Sequence, residues 1–505
     1  MKTVFKIITL GLSIFSFINM NAQIPDSKIG VFESFSDIGS PAIAGEVTYN
    51  HVDQTYKIKA SGSNIWFGTD SFSFLSKKMN GDFIIQTNIS FIGEGHEPHR
   101  KTGIMIRSSN ASNASMVACT VHGDGLIALQ YRSKDGADVE EIKFESTTAN
   151  VLQLEKRGTT YTMSVAKFGS PYDIKKIENI DLGDNPEAGL FVCSHNNDNF
   201  EEVEFSTTRI FNTAADDLVQ YEEYLGSLLE VMDVETGERT VLANSEGSWQ
   251  APNWTPDGKT LIYNASGKLY NFDLASKTYT ELFTDFAIQN NNDHVLTFDG
   301  TQIGISHHAK EANGQSLIYT LPISGGTPKK VTVKSPSYLH GWSPDNKYLI
   351  YTAERKGAYN IFKISVDGGK EKQLTKTDGL DDGSEYSPDG KYIYFNSTRT
   401  GTMQVWRMNA DGKNQTQLTF DEYNDWFPHV SPDNKWLVFI SFPKEVQADQ
   451  HPFYERCYIR LMPVEGGEPK VIGYVYGGQG SMNVPSWSPD SKKIAFISNG
   501  YFVKR

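Results

Sequence analysis

Apolar and polar residues alternate with a period of two in short runs along most of the chain, and turn residues cut the runs apart. Asp82–Ile89 reads DFIIQTNI, Gly103–Arg107 reads GIMIR and Leu126–Tyr131 reads LIALQY. Asn80-Gly81, Asp124-Gly125 and Asp135-Gly136 separate such runs. Alternation of this kind predicts half-buried strands joined by hairpins. From about residue 28 to 212 the runs show no internal repeat, and many short strands over that length predict a two-sheet β-sandwich.

A different rhythm follows a short acidic connector at 213–224, read as a helical or irregular linker. Thr255-Pro256-Asp257-Gly258-Lys259 recurs as Ser343-Pro344-Asp345-Asn346-Lys347, Ser387-Pro388-Asp389-Gly390-Lys391, Ser431-Pro432-Asp433-Asn434-Lys435 and Ser488-Pro489-Asp490-Ser491-Lys492. Thr297-Phe298-Asp299-Gly300-Thr301 is a degenerate copy. Each copy precedes an apolar strand, a polar loop, a second strand, an Asp-Gly-type turn and a last strand. Four strands per repeat of about 44 residues is the period of a β-propeller blade. The chain stops soon after Ile494–Ser498, so the last blade lacks its outer pair. Leu228–Asp233 and Arg239–Leu242 are expected to supply it and close a ring of six blades. The expected architecture is all-β: a signal at 1–22, a sandwich at 28–212, a linker at 213–224 and a six-bladed propeller at 225–505, with the halves as separate domains.

Two resemblances rest on these residues. The stretch GIMIRSSNASNASMVACTVHGDGLIALQYRS is similar to concanavalin A-like, lectin-type jelly rolls found beside bacterial carbohydrate enzymes. That implies a sugar-binding or spacer domain, with Trp66, Phe67, His96, His99 and Arg100 as a candidate platform. The Ser-Pro-Asp-Gly-Lys repeats over 225–505 resemble TolB-like propellers. TolB itself is a periplasmic protein-binding scaffold; the related oligogalacturonate lyases β-eliminate uronic-acid oligosaccharides at a metal site built by propeller histidines. Those lyases have seven blades, so their ligands do not transfer by position.

Composition narrows the partners. Acidic residues number 61 against 47 basic ones, a formal charge of -14, which argues against a nucleic-acid footprint and an anionic membrane surface. Met1–Ala22 reads as a secretory signal: Lys2 and Lys6, the apolar run Ile7–Ile18, then Met20-Asn21-Ala22. No lipid-attachment cysteine follows it, so a periplasmic or secreted protein is expected. Cys119 and Cys193 lie in apolar runs and are read either as a disulfide or as two buried thiols. Cys457 falls in a loop-like stretch.

Chemistry concentrates in the second half. Its six histidines, His294, His307, His308, His340, His429 and His451, all lie in or beside loops on the face opposite the Pro-Asp-Gly turns. His294 and His340 stand four residues before the motif position of proline; Glu385 and His429 stand three before it. That register points them at the mouth of one channel. The expected roles are His340, His429 and Tyr338 as catalytic groups, and His294, His308 and Glu385 as ligands of one divalent ion (Mn²⁺, Ca²⁺ or Zn²⁺). Arg355, Arg399, Asp382 and Trp426 are expected to bind substrate, the arginines clamping a carboxylate. The function these parts suit is β-elimination from the uronic acid of an anionic oligosaccharide, by a carbon–oxygen lyase or by a dehydratase at a chain end. The alternative is a non-catalytic periplasmic scaffold that binds a protein or glycan.

Overall fold

The computed structural model describes residues 28–500; the expected secretory signal at 1–22 lies outside the described residues. Within them the chain is all-β, with one short 3-10 turn at Lys310–Ala312 and no α-helix. Among the described residues, no helix is long and apolar enough to cross a membrane.

The first half forms an eight-stranded and a seven-stranded antiparallel sheet. Their facing sides bury one apolar cluster, with Leu75, Ile104, Ile106, Val117 and Leu190 from the first sheet against Ile58, Ile85, Leu152, Leu154 and Val203 from the second. Cys119, Cys193 and Cys457 are all free and buried; Cys457 lies in the strand Glu455–Pro463, not in a loop. In the candidate platform, Arg100 is committed to Glu201 at 2.7 Å, and Trp66 packs against the cluster around Phe72 and Phe74. The connector 213–226 holds turns rather than a helix.

The second half is a propeller of six blades. Five are continuous four-stranded sheets, spanning 249–282, 290–330, 337–373, 381–417 and 424–477. The sixth joins the two ends of the repeat region. Lys493–Asn499 pairs with Ser227–Asp233, which pairs in turn with Arg239–Ser245. The registers include Leu228 with Ser498 and Met232 with Ile494.

The repeated motif is a turn with a physical logic. Its Ser or Thr hydroxyl donates to the Asp two residues on, as in Ser387–Asp389 at 2.7 Å and Ser431–Asp433 at 2.6 Å. That Asp accepts from the next-but-one backbone N–H, as from Lys391 at 3.1 Å. The residue between turns left-handed, with φ +71° at Gly390 and +57° at Asn346, which is why Gly and Asn alternate there.

The halves are packed together. Ile84, Gln86, Val151, Glu155, Arg209 and Phe211 lie on the outer face of the seven-stranded sheet, yet the propeller covers them. This explains why Phe83-Ile84-Ile85 is apolar on both faces of its strand. Gln86 donates to the Tyr474 carbonyl at 3.0 Å and accepts from Arg239 at 2.9 Å. Arg456 pairs with Glu155. At the centre, Glu230 is fully buried and accepts from Arg209 at 2.5 Å and from the Ser498 hydroxyl at 2.5 Å, with Arg239 at 3.6 Å. Burial opposes ionisation of Glu230, but Arg209 and Arg239 outweigh it and hold the carboxyl below its ordinary range.

Glu230→Ala strands two buried guanidinium groups, and breaking such a pair costs about 3–5 kcal/mol. Denaturant unfolding should show a loss of that size. Glu281→Ala, which removes the exposed pair with Lys268, should change stability by less than about 1 kcal/mol. Equal effects of the two substitutions would remove Glu230 from its central role.

Candidate functional site

Each inner strand starts on the face opposite the motif turns, and five of them carry a β-bulge there. Pairing is broken between Gln250 and Asn253, Asn290 and His294, Leu339 and Gly341, Asp382 and Glu385, and Trp426 and His429. A bulge re-aims the side chains beside it. Asp293, His340, Asp382 and Phe427 sit at these bulges, and all four line one cavity of about 470 Å³ at the channel mouth. Asn291, Asn292, His308, Tyr338, Tyr359, Asp449, His451 and Asn483 complete most of the wall, and Tyr221 of the connector joins them.

His340 is the centre of this cavity. Its Nε2 lies 2.8 Å from Asp382 Oδ1, although the angle departs from that of a good hydrogen bond, and Nδ1 has no partner. Burial alone pushes the imidazole down; the carboxylates of Asp382 and Asp293 outweigh it and hold His340 above its ordinary 6.5. Burial pulls Asp382 the other way, but His340 prevails and brings it down to about 2. Asp293 is pushed up to about 6, chiefly by burial, with His340 opposing and the charge of Asp382 adding to the rise. Burial likewise raises the Tyr338 phenol to about 12, with Tyr359 adding to it, and lowers His451. The cavity thus holds an imidazole whose protonated form is favoured, a firm carboxylate, a carboxyl raised to about 6 and a phenol that keeps its proton. Asn292 Nδ2, His340 Nδ1 and His451 Nδ1 are buried without partners around it. Water or a ligand's polar groups would supply the partners these atoms lack.

The structure gathers His308, His340, Tyr338 and Asp382 from the expected set. It does not gather the rest. His294 is fully buried, with Nε2 3.1 Å from the Ile262 carbonyl of the neighbouring blade, and burial lowers it to about 4. His429 Nδ1 lies 2.6 Å from Glu385 Oε2, and its Nε2 faces the Met482 carbonyl at 2.8 Å. This pair bridges two blades inside the channel, and Glu385 borders the opposite cavity, beside Trp342, Trp487 and the motif prolines. The three expected metal ligands therefore do not converge, and among the described residues no group of three His, Cys, Asp or Glu side chains is placed to hold a metal ion. Arg355 is taken by Glu371, at 3.1 and 3.0 Å, and by the Pro336 carbonyl. Arg399 is taken by Asp381 at 3.0 Å and Gln415 at 2.5 Å. Trp426 is wholly buried, its ring 4.4 Å from that of His451, which it supports from behind. Asp293, absent from the expected set, was signalled by standing next to His294 at the same strand start. His451, one of the six propeller histidines, had no register to place it, because it comes from the long loop of blade five.

His340 and Asp382 titrate as a unit. The raised pKa of His340 contributes stability that is full below pH 6.5 and is lost as pH climbs through its folded value. The depressed pKa of Asp382 contributes stability that is full above 3.8 and is lost toward about 2. Asp382→Asn should therefore move the His340 ring signal, followed by NMR, to a lower titration midpoint than in the wild type. An unmoved midpoint would mean that Asp382 does not set the charge of His340.

Comparison with known proteins places the propeller. The profile described as the TolB beta propeller domain matches residues 337–452. An uncharacterized protein of Agrobacterium fabrum, Atu1656, is 42% identical over 272 residues, covering 54% of this chain and 92% of that protein. A solved structure from Agrobacterium tumefaciens, provisionally named TolB, is 40% identical over 55% of this chain and 99% of its own, with a TM-score of 0.53. The Tol-Pal system protein TolB of Francisella tularensis subsp. tularensis is 24% identical over 134 residues, 26% of this chain and only 30% of that protein.

Proposed function

This chain belongs to the TolB β-propeller family, and from that premise we propose that it is an exported carbon–oxygen lyase acting on a uronic acid at the end of a glycan chain. The observation that carries the proposal is the buried His340 held between Asp382 and Asp293, in a cavity whose walls carry unpartnered polar atoms. The lectin-type reading of the N-terminal sheets and the secretory signal belong to the same proposal.

The chemistry follows from the protonation states. A uronate must have its carboxylate neutralised before the C5 proton becomes acidic, and the His340 cation serves there through its free Nδ1. Asp293, near 6, is matched to neutral pH as the base that takes that proton. The electron pair left on C5 forms the C4=C5 double bond, and the C4–O bond breaks. Tyr338, still a phenol at neutral pH, protonates the departing oxygen. When that oxygen is a sugar the step is a lyase reaction; when it is a free hydroxyl, water leaves. Asp382 keeps His340 charged throughout. No step uses a metal, because the expected ligands point apart.

A second reading is the non-catalytic scaffold. The observation favouring it is that Arg355 and Arg399 are both spent in ion pairs, which leaves neither of them to clamp an anion at the mouth.

A panel of uronic-acid oligosaccharides, followed by the ultraviolet absorbance of an unsaturated uronate, separates the two. The wild type should generate that signal. Asp293→Asn and His340→Ala should each lower turnover about 10²–10⁴-fold while leaving the fold intact, and a chelator should have no effect. A silent wild type would leave the scaffold reading standing, and a fully active Asp293→Asn would remove Asp293 as the base.

A further inference from the structure

The connector between the two halves is an integral part of the cavity. Thr213 donates its backbone N–H to Asp82 at 3.1 Å, and Ala214 N–H donates to the Tyr476 hydroxyl at 3.0 Å. At its other end, Leu225 N–H donates to the Tyr454 hydroxyl at 3.2 Å. Between them, Gln220 grips Phe453 from both sides: its amide nitrogen donates to the Phe453 carbonyl at 3.4 Å, and its oxygen accepts the Phe453 N–H at 3.3 Å. Phe453 follows His451 by two residues, so this clamp fixes the blade-five loop that brings Asp449 and His451 to the cavity.

Tyr221 stands out in this segment. The residue is 61% exposed and lines the cavity, with its ring in a T-shaped contact with Phe453 at 5.2 Å between centroids. Its backbone is left-handed, φ +72°, a conformation that a bulky residue rarely adopts. The turn is closed by Glu223 N–H donating to the Val219 carbonyl at 2.9 Å and by the Tyr224 hydroxyl donating to the Tyr221 carbonyl at 2.9 Å, and it leaves the Tyr221 side chain at the cavity. Tyr338 and Tyr359 line the same cavity. Flat aromatic rings of this kind present an apolar face with a polar tip, which suits the faces of a sugar. The neighbouring charge is acidic: Glu222 and Glu223 follow Tyr221 on the exposed connector, and Asp449 lines the cavity. Exposed like charges repel within a Debye length, about 8 Å at physiological salt.

We infer that Tyr221 is the stacking platform for the sugar next to the terminal uronate, and that the acidic connector restricts that second sugar to an uncharged one. The inference rests on the lyase reading for the identity of the first sugar. It makes the cavity a product of both halves of the chain: the propeller supplies the acid and base, and the segment leading from the N-terminal sheets selects what is attached to the reacting ring. A polyuronate would carry its second carboxylate into the acidic rim, whereas a uronate followed by neutral sugars would not.

The test uses the full chain and two probes, an aldotriouronic acid with one uronate and two neutral sugars, and trigalacturonic acid with three uronates. Turnover is read by absorbance and binding by calorimetry. The wild type should favour the aldotriouronic acid at least tenfold, and the preference should shrink as salt is raised. Tyr221→Ala should weaken KM and Kd for it at least tenfold with an unchanged melting temperature. Tyr221→Phe, which keeps the ring, should retain wild-type values, and so should Glu281→Ala, which lies outside the cavity lining. If the wild type binds the probe without converting it and Tyr221→Ala weakens that binding, the inference stands and the lyase reading falls. If the probe is converted and Tyr221→Ala is indistinguishable from wild type, or trigalacturonic acid is preferred, the inference is overturned and the lyase reading stands. Binding of neither probe overturns both.

Discussion

Closure of the ring is the constraint from which the rest of the structure follows. Lys493–Asn499 and Ser227–Asp233 come from opposite ends of the repeat region and hydrogen-bond along seven residue pairs. Without that pairing, the last blade is an open edge and the inner strands lose their common axis. The pairing also fixes Glu230, on the strand contributed by the N-terminal end, beside Ser498 from the C-terminal end. Arg209, from the last strand of the sandwich, reaches into the same place. Ring closure and attachment of the two halves are thereby one buried electrostatic event. The connector passes beside the blade-five loop, where Gln220 bonds Phe453, and that loop carries His451 to the cavity.

Much of the fold was legible in the sequence because its signals are local. The Ser-Pro-Asp-Gly-Lys turn is recognisable from residue types alone, since the hydroxyl, the carboxylate and the left-handed residue each make a bond within the turn. The truncated sixth repeat announced the closing pair. The site was less legible. The register argument treated inner strands as uniform, so positions counted back from the motif proline were expected to face one way. The bulges break that uniformity, and they differ in length: one extra residue at His340, more at Asn290–His294. His340 consequently turns into the cavity while His294 turns to Ile262. Arg355 and Arg399 were expected to clamp substrate, but Glu371, in a loop, and Asp381, at the start of an inner strand, take them up, and only the folded chain brings these partners near. Trp426 illustrates the same limit: an aromatic in an inter-blade loop reads as a platform, and three-dimensional packing buries it. The closeness of the two halves had no local signal beyond the doubly apolar run Phe83-Ile84-Ile85.

The two cavities at opposite ends of the channel differ in chemistry. One is lined by Trp254, Trp342, Trp487, Phe298 and motif prolines; the other by aspartates, histidines, asparagines and tyrosines. The Glu385–His429 pair lies between them and ties neighbouring blades together. The polar cavity contains groups whose protonation is set against one another. Burial alone would leave Asp293, Asp382 and His340 neutral. Charge holds His340 up and Asp382 down, while burial holds Asp293 near 6, a spread of protonation behaviour of the kind found at acid–base sites.

The most direct test of this account is a crystal structure of the full chain with an aldotriouronic acid bound. The account predicts the terminal carboxylate against His340, C5 facing Asp293, the C4 oxygen near Tyr338 and the second sugar on the ring of Tyr221. A ligand seated in the proline-lined cavity or on the N-terminal sheets, with the His340 cavity empty, would contradict it.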